Sequence, residues 1–153
     1  MFNIGGRRGT TPRPQNHVQT VETILLEIGI DPATARMNTA DGFGWRFQRG
    51  SAAIEVYLAQ QEAEGYLQVL APIVHLPVTN LLPLYRHLLE LNLQLTAAAM
   101  GVYLDVVYVF SERPLQGMDA EEANNLISQV AQYADELDDR LVSEFGGRLY
   151  GRI

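Results

Sequence analysis

The chain has 153 residues, 47% hydrophobic and 19% charged, a length and balance that suit one globular domain rather than two marginal cores or a disordered polymer. It contains no cysteine, which excludes disulfides, thiolate metal sites and cysteine nucleophiles, and no apolar run approaches the roughly 18–20 residues that cross a bilayer. The formal net charge is −7 and every basic residue is arginine; from Gln15 onward 8 arginines face 18 acidic residues, so that part repels a phosphate backbone and nucleic acid is not an expected partner.

Residues 1–14, with Arg7, Arg8 and Arg13 among Gly, Thr and Pro, show no apolar period and are expected to form a flexible N-terminal tail ahead of a single α+β domain over 15–153. They also lack the apolar middle of a secretory signal, so the expected location is cytoplasmic. Gly5 to Thr11 looks superficially like a phosphate loop, but no strand precedes it and no lysine is present. From Val18 the spacing turns helical: Val18, Val21, Ile24, Leu25 and Ile28 share one face, and Gly29 with Asp31-Pro32 stops the helix.

A period of two comes next. Phe43, Trp45 and Phe47 alternate with polar or small residues, as do Ile54, Val56 and Leu58, and then Leu67, Val69, Ala71 and Ile73. Arg49-Gly50-Ser51 and Glu62 to Gly65 supply short turns, so these segments predict an antiparallel meander with one face on a core and one open to solvent. Thr79 or Asn80 is placed to cap a second helix running to about Leu91, with Asn92 as a left-handed stop. Leu93 to Ser111 predicts a hairpin turning near Tyr103 to Asp105. Asp119 and Glu122 have the form of a capping box, opening a long helix whose stripe is Ala123, Leu126, Ile127, Val130, Ala134, Leu137, Leu141 and Phe145, ended by Gly146-Gly147. The order is α-β-β-β-α-β-β-α, an α+β fold with a five-stranded antiparallel sheet.

The residue inventory offers no catalytic constellation. His17, His75 and His87 are not spaced as metal ligands, no serine sits in a nucleophile elbow, and Asp135, Glu136, Asp138 and Asp139 read as a solvated helix face. No enzyme activity, cofactor or metal is expected. The second helix is unusual instead: its apolar arc is about 180° wide against about 120° on the other two. The surplus is packed between layers of one chain or buried against a second subunit, and in a chain this small a homodimer is expected, with Leu81, Leu84, Tyr85, Leu88 and Leu91 as its surface.

The run Leu88-Leu89-Glu90-Leu91-Asn92-Leu93, followed by a hairpin, then Pro114-Leu115-Gln116-Gly117-Met118-Asp119 and a long acidic helix, resembles the YbjN family of bacterial proteins. That family is described as sensory-transduction regulators and is grouped structurally with type III secretion chaperones. The resemblance covers Pro77 to Arg140; upstream only the order of elements agrees. One departure is Tyr103-Leu104-Asp105, where the family has a polar turn. The resemblance implies a small acidic homodimer with a twisted antiparallel sheet, in which the second helix and the strands after it contribute to dimerisation and apolar patches hold an extended client. It carries over no catalytic residue. Together these readings predict a non-enzymatic, peptide- or protein-binding homodimer, with Tyr57, Tyr66 and Leu70 of the open sheet face or a sheet edge meeting the client. A regulator sensing a small ligand between sheet and helices is the alternative.

Overall fold

The computed structural model describes residues 14–40, 42–61 and 63–151; the expected tail, with its glycine-rich run and three arginines, lies outside them apart from Pro14. Helix α1 spans Pro14–Glu27, so the chain is already helical at the residue expected to end the tail. A proline opens it at no cost, because the first N–H of a helix has no internal partner. Gly29 closes it with φ 86°: its N–H donates to Leu26 O at 3.0 Å, and the Ile30 N–H donates to Leu25 O at 2.8 Å. That pair of bonds is a Schellman ending, which satisfies carbonyls the helix would otherwise strand.

A four-residue helix α2 (Pro32–Ala35), capped by Asp31, leads into β1 (Arg36–Met37). The meander then appears as β2 (Phe43–Arg49), β3 (Ala52–Gln61) and β4 (Glu64–His75). Helix α3 (Leu81–Leu91), β5 (Ala99–Tyr103), β6 (Val106–Pro114), α4 (Ala120–Phe145) and β7 (Arg148–Leu149) complete the order. The sheet runs β1-β2-β3-β4-β6-β5, every pairing antiparallel, with β7 alongside the end of β4 at Val74 and His75.

Among the described residues seven strands therefore stand where five were expected. The two additions are two residues long, too short to show any alternation in sequence. The hairpin also begins later than Leu93, because the N–H groups of Gln94 and Leu95 still bond to Leu91 O. Asn92 is right-handed, not left-handed (φ −61°, ψ −20°), and acts through its side chain: Oδ1 accepts the Met100 N–H at 2.6 Å and Nδ2 donates to Met100 O at 3.3 Å. That clamp starts β5. Asn80, conversely, is the left-handed residue (φ 62°) and its side chain makes no capping bond.

The β5–β6 turn is Leu104-Asp105, both at positive φ (44° and 62°). A two-residue turn needs this geometry to match strand twist, but Asn-Gly supplies it without the cost of about 1–2 kcal/mol that a residue with a bulky Cβ incurs. Replacing both residues by Asn-Gly is expected to raise unfolding stability by about 1–2 kcal/mol in urea titrations. An unchanged midpoint would mean that Leu104 is held there without strain.

Helices α1, α3 and α4 all lie on one face of the sheet. There Val21, Leu25, Trp45, Ile54, Val56, Leu67, Val69, Val107 and Val109 join the α4 stripe Ala123, Leu126, Ile127, Val130, Ala134, Leu137 and Leu141 in one buried cluster. Arg49, on the β2–β3 hairpin, pins that turn to α4 by donating to Asn124 Oδ1 at 2.9 Å and Ser128 Oγ at 3.1 Å. Asp119 caps α4 by accepting the Glu122 N–H at 2.8 Å, while the Glu122 carboxylate, instead of closing the box, pairs with Arg113 of β6. No helix among the described residues is long and apolar enough to cross a membrane.

Candidate binding surfaces

The wide apolar arc of α3 divides in two. Leu84, Leu88 and Leu91 are 1%, 4% and 7% exposed and enter the chain's own core, so three of the five residues expected to form a dimer surface are not available for one. Leu81 is half-buried and Tyr85 is exposed. The physical reason is angular: α3 packs against β5 and α4 along the 84-88-91 line. The surplus therefore rotates to Leu82, Tyr85 and Leu89, which succeed one another at i, i+3 and i+7 on the outer side. Wheel geometry gave the width of the arc but not which edge of it the sheet would claim.

Those residues do not stand alone. Val78 and Leu93 flank the helix and are exposed, as are Val102, Tyr103 and Leu104 at the end of β5 and its turn. The Asn92–Met100 clamp holds one end of α3 to the start of β5. At the other, the Leu76 N–H donates to Asp105 O at 2.8 Å, bringing the turn to the segment before α3. Among the described residues, eight of the nine exposed large hydrophobic side chains fall between 78 and 104; the ninth is Leu26. β5 is also an edge of the sheet.

The second surface is the sheet face opposite the helices. Registers place Arg46, Glu55, Leu70, Phe110 and Ala99 in one row across it, and Gly44, Tyr57, Gln68 and Glu112 in the next. Tyr66, Tyr108 and Tyr103 share the face by alternation. Of the three residues expected to contact a client here, Tyr57 and Tyr66 are half-buried and accessible, whereas Leu70 is 1% exposed, sealed beneath its neighbours, and serves as floor rather than contact. The polar groups are held by one another: Tyr57 OH donates to Glu55 Oε2 at 3.0 Å, Tyr66 OH to Glu64 Oε2 at 3.1 Å, and Gln68 Nε2 to Glu112 Oε2 at 2.6 Å. Burial, reinforced by the Glu55 carboxylate, pushes the Tyr57 hydroxyl far above the usual phenol range, and the same two causes raise Tyr108. At the far end the Tyr150 ring stacks on His75 (5.2 Å between centroids) and carries the Arg46 guanidinium 5.7 Å above it. Tyr150 was missed in sequence because β7, which places it, is so short.

The remaining candidates are scattered. His87 packs on Phe145 and the His17 ring on Gly65, far apart in the fold. Asp135 of the acidic α4 run accepts a hydrogen bond from Ser51, and Gln132 donates to Glu136 at 2.8 Å. A groove of about 620 Å³ runs between Leu76–Asn80 and Val142–Gly147.

Among the described residues, an antiparallel sheet covered on one side, an exposed apolar helix-and-edge surface and an uncovered aromatic face define a small α+β module suited to binding. The chain belongs to the T3SS (YopN, CesT) and YbjN peptide-binding chaperone 1 family, TY-Chap1, whose pattern it matches over residues 18–152. Its fold is that of type III secretion chaperones. It is similar to a chain of the ExsC–ExsE complex (12% identity, 80% of this chain and 91% of that one, TM-score 0.58). It is also similar to a chain of the Yersinia pestis chaperone SycH bound to a stable fragment of YscM2 (12%, 79% and 98%, TM-score 0.56). A third likeness is to a chain of the ExoU–SpcU heterodimer from Pseudomonas aeruginosa (15%, 78% and 95%, TM-score 0.55). No curated protein sequence matches the chain.

Proposed function

We propose that the protein is a non-enzymatic, homodimeric peptide-binding module, in which the α3–β5 surface joins two copies and the open sheet face receives an extended client. The observation that carries the dimer is the gathering of seven exposed large hydrophobic residues along α3, its flanks and the adjoining end of β5, from Val78 to Leu104, with Tyr103 turned to the other face. Contiguous exposed apolar surface on that scale marks an interface, and a standard one buries about 800 Å² per partner. A second copy fits because Leu82, Tyr85 and Leu89 form a stripe able to meet its own symmetry mate. The client part rests on the family's peptide-binding character and on the related structures in which a chaperone is held with another protein. Tyr57 and Tyr66 offer accessible rings for it.

A sensor of small ligands needs a cavity that buries most of its ligand. The groove beside α3 is walled by exposed residues, Val78, Thr79, Asn80, Ser143 and Glu144 among them, and so encloses little.

Sedimentation velocity at micromolar concentration tests the assembly. The wild type is expected at the dimer mass, near twice 17.0 kDa, and Leu82→Asp/Leu89→Asp at the monomer mass with unchanged circular dichroism. A monomeric wild type would refute the dimer.

A further inference from the structure

Six carboxylates of this protein make a contrast, although others away from the open face, Asp135 and Glu136 among them, are also held by neutral donors. On the helix side and the exposed helix surfaces, Glu22, Glu90 and Glu122 are each paired with an arginine, respectively Arg36, Arg86 and Arg113. On the open sheet face, Glu55, Glu64 and Glu112 are instead held by neutral donors, Tyr57, Tyr66 and Gln68, and none of the three is ion-paired among the described residues. Glu55 is only 9% exposed and Gln68 only 7%, although no helix among the described residues covers this face. An anionic group kept in a half-dry aromatic surface, fixed in position and lacking a counter-ion, is arranged to receive a cation.

Resting on the peptide-binding reading above, we infer that the open face selects an extended segment carrying arginine, with Glu55 and Glu112 as the anchors for two of its side chains. Three features favour arginine. The walls beside Glu55 are Tyr57 and, one register row away, Tyr108, rings on which a planar guanidinium stacks. The floor is Leu70 with Phe110 beside it, which suits the aliphatic stem of a long side chain lying flat. The nearest resident cation, Arg46, is drawn over Tyr150 at the row's end rather than pairing with Glu55.

The register also sets a spacing. Glu55 on β3 and Glu112 on β6 are separated by one intervening strand, β4, and by one row. With strands about 4.8 Å apart and about 6.7 Å between successive same-face residues, the two anchors are roughly 12 Å apart. An extended chain covers that in about four residues, which returns its side chains to the same face. The favoured client thus carries arginines at i and i+4.

The test uses the full-length protein and a fluorescein-labelled, twelve-residue peptide of alternating Val and Thr with arginines at i and i+4. Its partner has citrulline, the uncharged isostere, at both positions. Anisotropy titrations at low salt should show the arginine peptide binding at least tenfold tighter, a margin that shrinks as salt is raised. Glu55→Gln and Glu112→Gln should each remove threefold or more of that margin while leaving citrulline-peptide affinity unchanged. Tyr57→Phe, which deletes only the hydroxyl that fixes Glu55, should give a smaller loss and serves if Glu55→Gln fails to fold. Equal affinity for the two peptides overturns the arginine assignment and leaves peptide binding standing; binding of neither overturns both.

Discussion

Leu84→Asp is expected to leave the chain largely unfolded at 25 °C, whereas Leu89→Asp, five residues along the same helix, leaves it folded and monomeric. Leu84 is 1% exposed beneath α3, and Leu89 is 69% exposed on its outer side. At position 84 the substitution removes a buried leucine, worth about 2–5 kcal/mol, and leaves a carboxylate in the apolar core, which costs several kcal/mol more unless it takes up a proton. A domain of this size has roughly 5–15 kcal/mol in total. At position 89 the charge stays in water and alters the fold by no more than about 0.5 kcal/mol, but it would be desolvated in a dimer. Trp45, the sole tryptophan and fully buried, reports the difference: its emission should shift to the red in Leu84→Asp and stay put in Leu89→Asp. Retention of the native spectrum by Leu84→Asp would mean that the 84-88-91 line is not the core side of α3.

The same helix shows what a linear reading can and cannot reach. Periodicity placed α1, α3, α4 and the three meander strands, because each must bury a stripe or a face and the residues that do so recur at a fixed interval. It also gave the excess width of the α3 arc. Which part of the arc turned inward depended on where β5 and α4 lie, a tertiary fact that no interval within α3 encodes. The open face was legible as a face, through Tyr57 and Tyr66, but the burial of Leu70 was not. On a bare sheet a central leucine reads as exposed until large neighbours such as Tyr57, Tyr108 and Phe110 are brought beside it in register. The Glu55–Tyr57 bond is two residues apart along one strand and so was within reach; a Glu-x-Tyr alternation puts both groups on one side. Asn92 is right-handed rather than left-handed because its side chain is held by Met100, a contact across the α3–β5 connection.

Gly147→Ala is expected to cost about 2–4 kcal/mol and to detach β7, an effect out of proportion to one methyl group. Gly147 sits at φ 93°, and a Cβ built there would lie 2.4 Å from His75 O, 3.2 Å from Val74 Cγ1 and 3.3 Å from Pro77 N. The nearest obstacle by far, His75 O, is a backbone atom of β4, which cannot rotate aside as a side chain would. The left-handed conformation adds about 1–2 kcal/mol for alanine. Gly50→Ala is the matched control: its φ is 62°, but the only nearby atom is Asp135 Oδ2 at 3.7 Å, so it should cost no more than that conformational share. The chain relieves the clash at 147 by releasing the two residues of β7 and then Tyr150, whose N–H donates to Ile73 O at 2.8 Å. Hydrogen exchange reads this directly. The Tyr150 amide should lose protection in Gly147→Ala while the amides of Val69 and Val109, in the sheet interior, keep theirs relative to the global stability. Freed from His75, Tyr150 would no longer hold Arg46 at the end of the open face, leaving that guanidinium able to swing toward Glu55, its neighbour across β2 and β3. The arginine peptide should then bind more weakly, because an internal cation competes for the same carboxylate. Equal costs at 50 and 147, with Tyr150 still protected, would show that β4 can yield to the methyl group and that β7 does not depend on this glycine.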